Sequence, residues 1–97
     1  MAFQIKWTPQ AEKGLNKVIE YLEKEWSERE ILKLEEKINQ VIHQISKNPR
    51  LFPSSNTYKS LHKAIIDKNN YLVYKIDTNS NSIQIINFRG TKQKPRY

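Results

Sequence analysis

The chain has no cysteine, one methionine and two glycines among its 97 residues. Without cysteine there is no disulfide framework and no thiolate metal site, so the fold must stand on packing alone and nothing in the redox inventory argues for secretion. No apolar run approaches the roughly 18 residues of a membrane span, and Met1-Ala2-Phe3-Gln4-Ile5-Lys6-Trp7 lacks the continuous apolar core of a signal peptide. A cytoplasmic protein without membrane contact is expected. Acidic residues are scarce in one half only. Residues 1–48 carry eight basic and eight acidic side chains, whereas residues 49–97 carry nine basic ones against Asp67 and Asp77, which places the whole formal charge of +7 in the second half. That asymmetry points to a localised anionic partner, either nucleic acid or an acidic protein segment.

What is present suits an ordinary globular domain: 37% hydrophobic and 28% charged residues, in a length that allows a single domain over 1–97. Phe3, Ile5 and Trp7 alternate with Gln4 and Lys6, the period of a half-buried strand. Thr8 is a good N-cap and Pro9 suits the first helical position, where no backbone donor is needed. Ala11, Leu15, Val18, Ile19, Leu22 and Trp26 then form the apolar stripe of a first helix, which Gly14 weakens slightly. Ser27-Glu28-Arg29-Glu30 has the spacing of a capping box, and Ile31, Leu34, Ile38, Val41, Ile42 and Ile45 give a second stripe. So short a link predicts an antiparallel helical hairpin that ends at Asn48-Pro49. Leu51 and Phe52 are expected to plug the following loop into the core, and Trp7 and Trp26 to pack helix against sheet.

Three strand-like runs follow, at 61–66, 71–76 and 83–88, separated by turn-forming segments, and residues 90–97 suit a flexible or ligand-ordered tail. The order strand, helix, helix, strand, strand, strand predicts an α+β two-layer sandwich, the hairpin packed on one face of a mainly antiparallel four-stranded sheet. Strict alternation then assigns the open face. Lys6, Lys63, Lys75 and Arg89 point outward, and Ile65, Tyr71, Val73, Ile83, Ile85 and Asn87 share that face with them. Leu72, Tyr74 and Ile76 balance Tyr71 and Val73 in hydrophobicity, which leaves the opposite setting of that one strand open. Cations amid exposed aromatic and aliphatic groups make a binding surface.

The strings Trp7-Thr8-Pro9-Gln10-Ala11, Ile19-Glu20-Tyr21-Leu22, Asn48-Pro49 with Phe52-Pro53, Leu61-His62-Lys63-Ala64, Asn70-Tyr71-Leu72-Val73-Tyr74-Lys75-Ile76 and Ile85-Ile86-Asn87-Phe88-Arg89 run through nearly the whole chain. In that order they resemble the RelE/ParE superfamily of bacterial type II toxin-antitoxin toxins, the plasmid stabilisation type. The resemblance implies a growth-inhibiting toxin held inactive by a cognate antitoxin, as a homodimer or within a higher toxin–antitoxin complex. It also implies two mechanisms: the RelE-like branch cleaves messenger RNA on the ribosome, and the ParE-like branch blocks DNA gyrase without being a nuclease. An antitoxin-binding remnant without activity is a third reading.

A metal-free ribonuclease must activate a 2′-hydroxyl, stabilise the phosphorane and protonate the leaving oxygen. Arg89 suits the phosphate, Lys63 a proton transfer, and Tyr97 a stacking or proton-donating role as C-terminal tyrosines have in ribonuclease members. Lys6, Arg50, His62, Tyr71, Lys75, Lys92 and Arg96 are the candidates for holding RNA or the antitoxin. His62 and Lys63 are adjacent on a strand, so they line one site only across a bulge. The tail Lys92-Gln93-Lys94-Pro95-Arg96-Tyr97 departs from the His-Tyr ending of some ribonuclease members, and residues 49–66 hold no carboxylate to serve as base. His43 reads as a surface or boundary residue. No Gly-rich phosphate loop, nucleophile motif or histidine pair at ligand spacing is present, so neither cofactor nor metal is expected.

Overall fold

The computed structural model describes residues 3–54 and 60–90. Strand β1 (Gln4–Trp7) leads through Thr8 into helix α1 (Pro9–Glu25) and, after two extended residues, into helix α2 (Glu28–Lys47). Strands β2 (Leu61–Asp67), β3 (Asn70–Asp77) and β4 (Ser82–Gly90) follow. The sheet order is β1-β4-β3-β2, parallel between β1 and β4 and antiparallel elsewhere, so the expected two-layer α+β architecture is the observed one.

The sequence explains most of these boundaries. Thr8 Oγ1 accepts a hydrogen bond from the Ala11 amide at 3.2 Å, and Pro9 opens the helix where its missing N–H costs nothing. Ser27 sits at the N-cap of α2 in an extended conformation, but its side chain makes no capping hydrogen bond, so the expected capping box is not formed. The Glu30 amide instead donates to the Ser27 carbonyl at 3.0 Å, and the first-turn charges of Glu28 and Glu30 favour the helix dipole.

Ala11 and Val18 of α1 and Leu34, Ile38, Val41 and Ile45 of α2 are buried against Ala64, Leu72, Tyr74, Ile83, Ile85 and Phe88 of the sheet. Each fully buried aliphatic side chain contributes roughly 1.5–3 kcal/mol. Trp7 and Phe52 pack against this core as expected. Trp26 does not: at the C-cap of α1, one residue past the helix, it is 50% exposed, and Leu51 is also exposed.

A second correction concerns β4. Ile83 and Ile85 belong to the core rather than to the open face. Val73 pairs with Asn87 but Tyr74 pairs with Ile85, so Ile86 is an extra residue in β4 and the alternation shifts by one across this bulge. Ile83 and Ile85 before it and Phe88 after it all turn toward the helices, while Arg89 remains exposed. Asn87 also differs from expectation. Its Oδ1 accepts from the Phe88 amide at 2.9 Å and lies beside Gly14 of α1.

Candidate functional site

The face of the sheet away from the helices is built by register. Lys6 of β1 pairs with Gln84 of β4, which pairs with Lys75 of β3, which pairs with Leu61 of β2. Two residues along, Val73 and Lys63 are in line on this face, and beyond them Arg89, Tyr71 and Ile65. Lys6, Lys63, Lys75 and Arg89 are all exposed, so the structure brings these four predicted cations to one face. Neighbouring strands lie about 4.8 Å apart, which puts Lys6 and Lys75 about 10 Å from each other on the two sides of Gln84.

Tyr71 stands on β3, flanked by β2 and β4, with Lys63 Nζ 4.3 Å from its ring centroid. Such a contact contributes about 0.5–1 kcal/mol where water reaches it. Ile65 beside them is 50% exposed. Gln84 is a member of the face that alternation missed, because strict period two gave its place to Ile83 and Ile85. Only the bulge at Ile86, invisible in hydrophobic periodicity, turns it outward.

The acidic groups of this half are committed to turns. Asp77 Oδ1 accepts from the amides of Asn79 and Ser80, at 3.1 and 3.3 Å. The Ser80 side chain, these amides and the charge of Lys6 hold its carboxyl below the usual value of 3.8. Asp67 Oδ1 accepts from the Asn69 amide at 2.8 Å and from Asn70 Nδ2 at 3.0 Å. Asn81 closes the β3–β4 turn in the left-handed region, φ 54, which asparagine tolerates better than most residues.

His62 is separated from Lys63 by the strand itself. Its ring is buried on the helix side, stacked on Tyr74 with centroids 5.1 Å apart, and its Nδ1 lies 2.9 Å from the Phe52 carbonyl. A carbonyl only accepts, so Nδ1 carries the proton. The Tyr74 hydroxyl donates to the Pro49 carbonyl at 2.6 Å, and Ser54 bridges to His62. Together these contacts latch residues 49–54 to β2 and β3. Arg50, exposed on that turn, lies off the sheet strands, and Lys92, Arg96 and Tyr97 fall outside the described residues.

Chemically, the face can hold an anion along its cations and an aromatic or apolar group at Tyr71 and Ile65. Among the described residues no cluster of histidine and carboxylate is suited to a metal ion, and no helix is long and apolar enough to cross a membrane.

Residues 5–95 match the family model of the ParE toxin of the type II toxin-antitoxin system parDE. No curated protein matches the chain. Solved structures share the fold. The toxin–antitoxin complex RelBE2 from Mycobacterium tuberculosis has a TM-score of 0.67 at 16% identity, with 93% of this chain and 92% of that one covered. A mutant Escherichia coli toxin RelE in the free state gives 0.66 at 14% identity, covering 97% and 88%. The YoeB dimer of Staphylococcus aureus gives 0.59 at 23% identity, with both chains fully covered at 100%.

Proposed function

The chain belongs to the ParE toxin family of type II toxin-antitoxin systems, and from that premise we propose that it arrests growth by cleaving messenger RNA on the ribosome through the basic face of its sheet. The observation that carries this reading is the gathering of Lys6, Lys63, Lys75 and Arg89 on one face of the sheet, Lys63 and Arg89 beside Tyr71, with the carboxylates of Asp67 and Asp77 tied into turns. A phosphodiester chain supplies the charge such a face attracts.

In this reading the 2′-hydroxyl of a bound nucleotide attacks the adjacent phosphorus and O5′ departs, leaving a 2′,3′-cyclic phosphate and a 5′-hydroxyl. One proton leaves the 2′-oxygen and one reaches O5′. Arg89 carries the phosphorane charge, since its planar fork donates two parallel hydrogen bonds and stays charged. Lys63 and Tyr97 are the groups proposed for the proton transfers. Lys6, Arg50, Lys75, Lys92 and Arg96 hold the strand or, in the repressed state, the acidic segment of an antitoxin. Asp67 and Asp77 at the strand ends are held in turns and the His62 ring is buried on the helix side, which leaves neither poised as a base; with the ParE family match this favours a second reading in which the toxin blocks DNA gyrase.

The deciding experiment induces the chain alone in a bacterium, maps messenger RNA ends and assays gyrase supercoiling. Growth arrest with ribosome-dependent cuts supports cleavage; arrest with lost supercoiling and intact transcripts replaces it with the gyrase reading. Arg89→Ala is expected to lower cleavage roughly a hundredfold, about 3 kcal/mol of transition-state stabilisation, in a folded protein. Arg89→Lys restores it only in part. A folded Arg89→Ala protein that cuts as fast as the parent removes Arg89 from the site.

A further inference from the structure

We propose that Tyr71 is a stacking seat for one unpaired base, so that the substrate of the open face is single-stranded RNA read through a base as well as through its phosphates. This rests on the RNA reading above and specifies how the strand is held.

Three observations converge on Tyr71. It stands on β3, which is hydrogen-bonded on both sides, so its ring is carried by a rigid platform rather than by a loop. Its cross-strand neighbours are Ile65 on one side, half exposed, and Arg89 on the other, an apolar group and a cation within about 10 Å of one another. The ammonium of Lys63 already rests over the ring. An aromatic ring on an open sheet face, bordered by cations, is the arrangement that stacks splayed bases, and a duplex cannot use it because its base faces are covered by neighbouring pairs.

The Lys63 contact fits this role. Lysine has a long flexible stem and a compact charge, so as a base arrives the ammonium moves from the ring to a neighbouring phosphate. One cation–π contact is exchanged for a base stack and an ion pair. Tyr71 thereby parks Lys63 next to the phosphate that Arg89 is proposed to hold.

The test measures fluorescence anisotropy of a short labelled 2′-O-methyl oligouridylate, which cannot be cleaved, against the same strand with one abasic residue and against its duplex. Wild-type protein is expected to bind the intact strand more tightly than either alternative. Tyr71→Leu is expected to weaken binding of the intact strand about five- to 150-fold, the range that corresponds to one base stacked on an aromatic side chain. It leaves the slope of log affinity against log salt unchanged, because no charge is lost, whereas Lys75→Gln lowers that slope by about 0.7. Tyr71→Phe retains the affinity. On the abasic strand, Tyr71→Leu and wild type bind alike, since neither can form the stack.

Equal wild-type affinity for intact and abasic strands overturns the stacking seat without any variant, so a misfolded Tyr71→Leu protein does not leave the question open. A folded Tyr71→Leu protein that binds RNA as the parent does but escapes its antitoxin assigns Tyr71 to the partner interface, which also overturns it. No wild-type binding to any strand, free or on ribosomes, sinks the RNA reading itself and the seat with it.

Discussion

Tyr74 and Tyr71 are three residues apart on β3 and have opposite roles because they face opposite sides of the sheet. Tyr74 is fully buried, and burial raises its phenol above the usual 10.0, offset in part by the Phe52 amide beside the oxygen. The folded state therefore holds this proton more tightly than the unfolded chain does. Its contribution to stability is complete below about pH 10 and is lost as pH rises through the raised folded value. Tyr74→Phe is expected to cost about 1 kcal/mol at neutral pH, by leaving the Pro49 carbonyl without its donor. It should also flatten the alkaline decline of stability. Denaturant titrations of both proteins at neutral pH and above pH 10 measure the two effects, and an equally steep alkaline decline in the variant would refute the assignment.

At the scale of elements, the decisive contact is between α1 and the end of β4. A Cβ on Gly14 would fall well inside van der Waals contact distance of the Phe88 carbonyl oxygen and 3.2 Å from the carbonyl carbon, and backbone there cannot swing aside as a side chain would. Helix propensity alone favours alanine over glycine by about 1 kcal/mol. Here the sign reverses: Gly14→Ala is expected to destabilise the fold by about 1–3 kcal/mol net, read as a lower thermal midpoint. A stabilised Gly14→Ala protein would disprove the close approach. The same junction is tied by Thr8, whose hydroxyl donates to the Ile85 carbonyl at 2.8 Å while accepting from Ala11. One side chain thus caps α1 and fixes β4 next to its bulge.

For the molecule as a whole, charge is sorted by layer. The helices hold a near balance of Lys and Glu, and the excess of cations is carried by the later half of the chain, with Lys63, Lys75 and Arg89 brought beside Lys6 on one face. Equal changes in net charge should therefore have unequal effects. Lys6→Glu with Lys75→Glu is expected to abolish growth arrest, whereas Lys17→Glu with Lys24→Glu, exposed on α1, should leave it within a few-fold of the parent. Colony survival after induction, at matched soluble protein levels, compares the two pairs. Equal loss in both would mean that net charge acts and that the face has no special part.

The order of elements, the hairpin of helices and the outward setting of Lys63, Lys75 and Arg89 were legible in sequence, because helix stripes, caps and turn residues act between neighbours in the chain. The Thr8 cap is such a local signal and was found; the Ser27 box has the same spacing but its hydrogen bond is not made. What only the tertiary structure decided is the face taken by each residue of β4. Its bulge exists because Val73 and Tyr74 choose Asn87 and Ile85 as partners, a matter of hydrogen bonds to another strand. One extra residue there sends Ile83 and Ile85 inward and Gln84 outward. The close approach at Gly14 and the burial of His62 likewise depend on residues distant in the chain, which local periodicity does not encode.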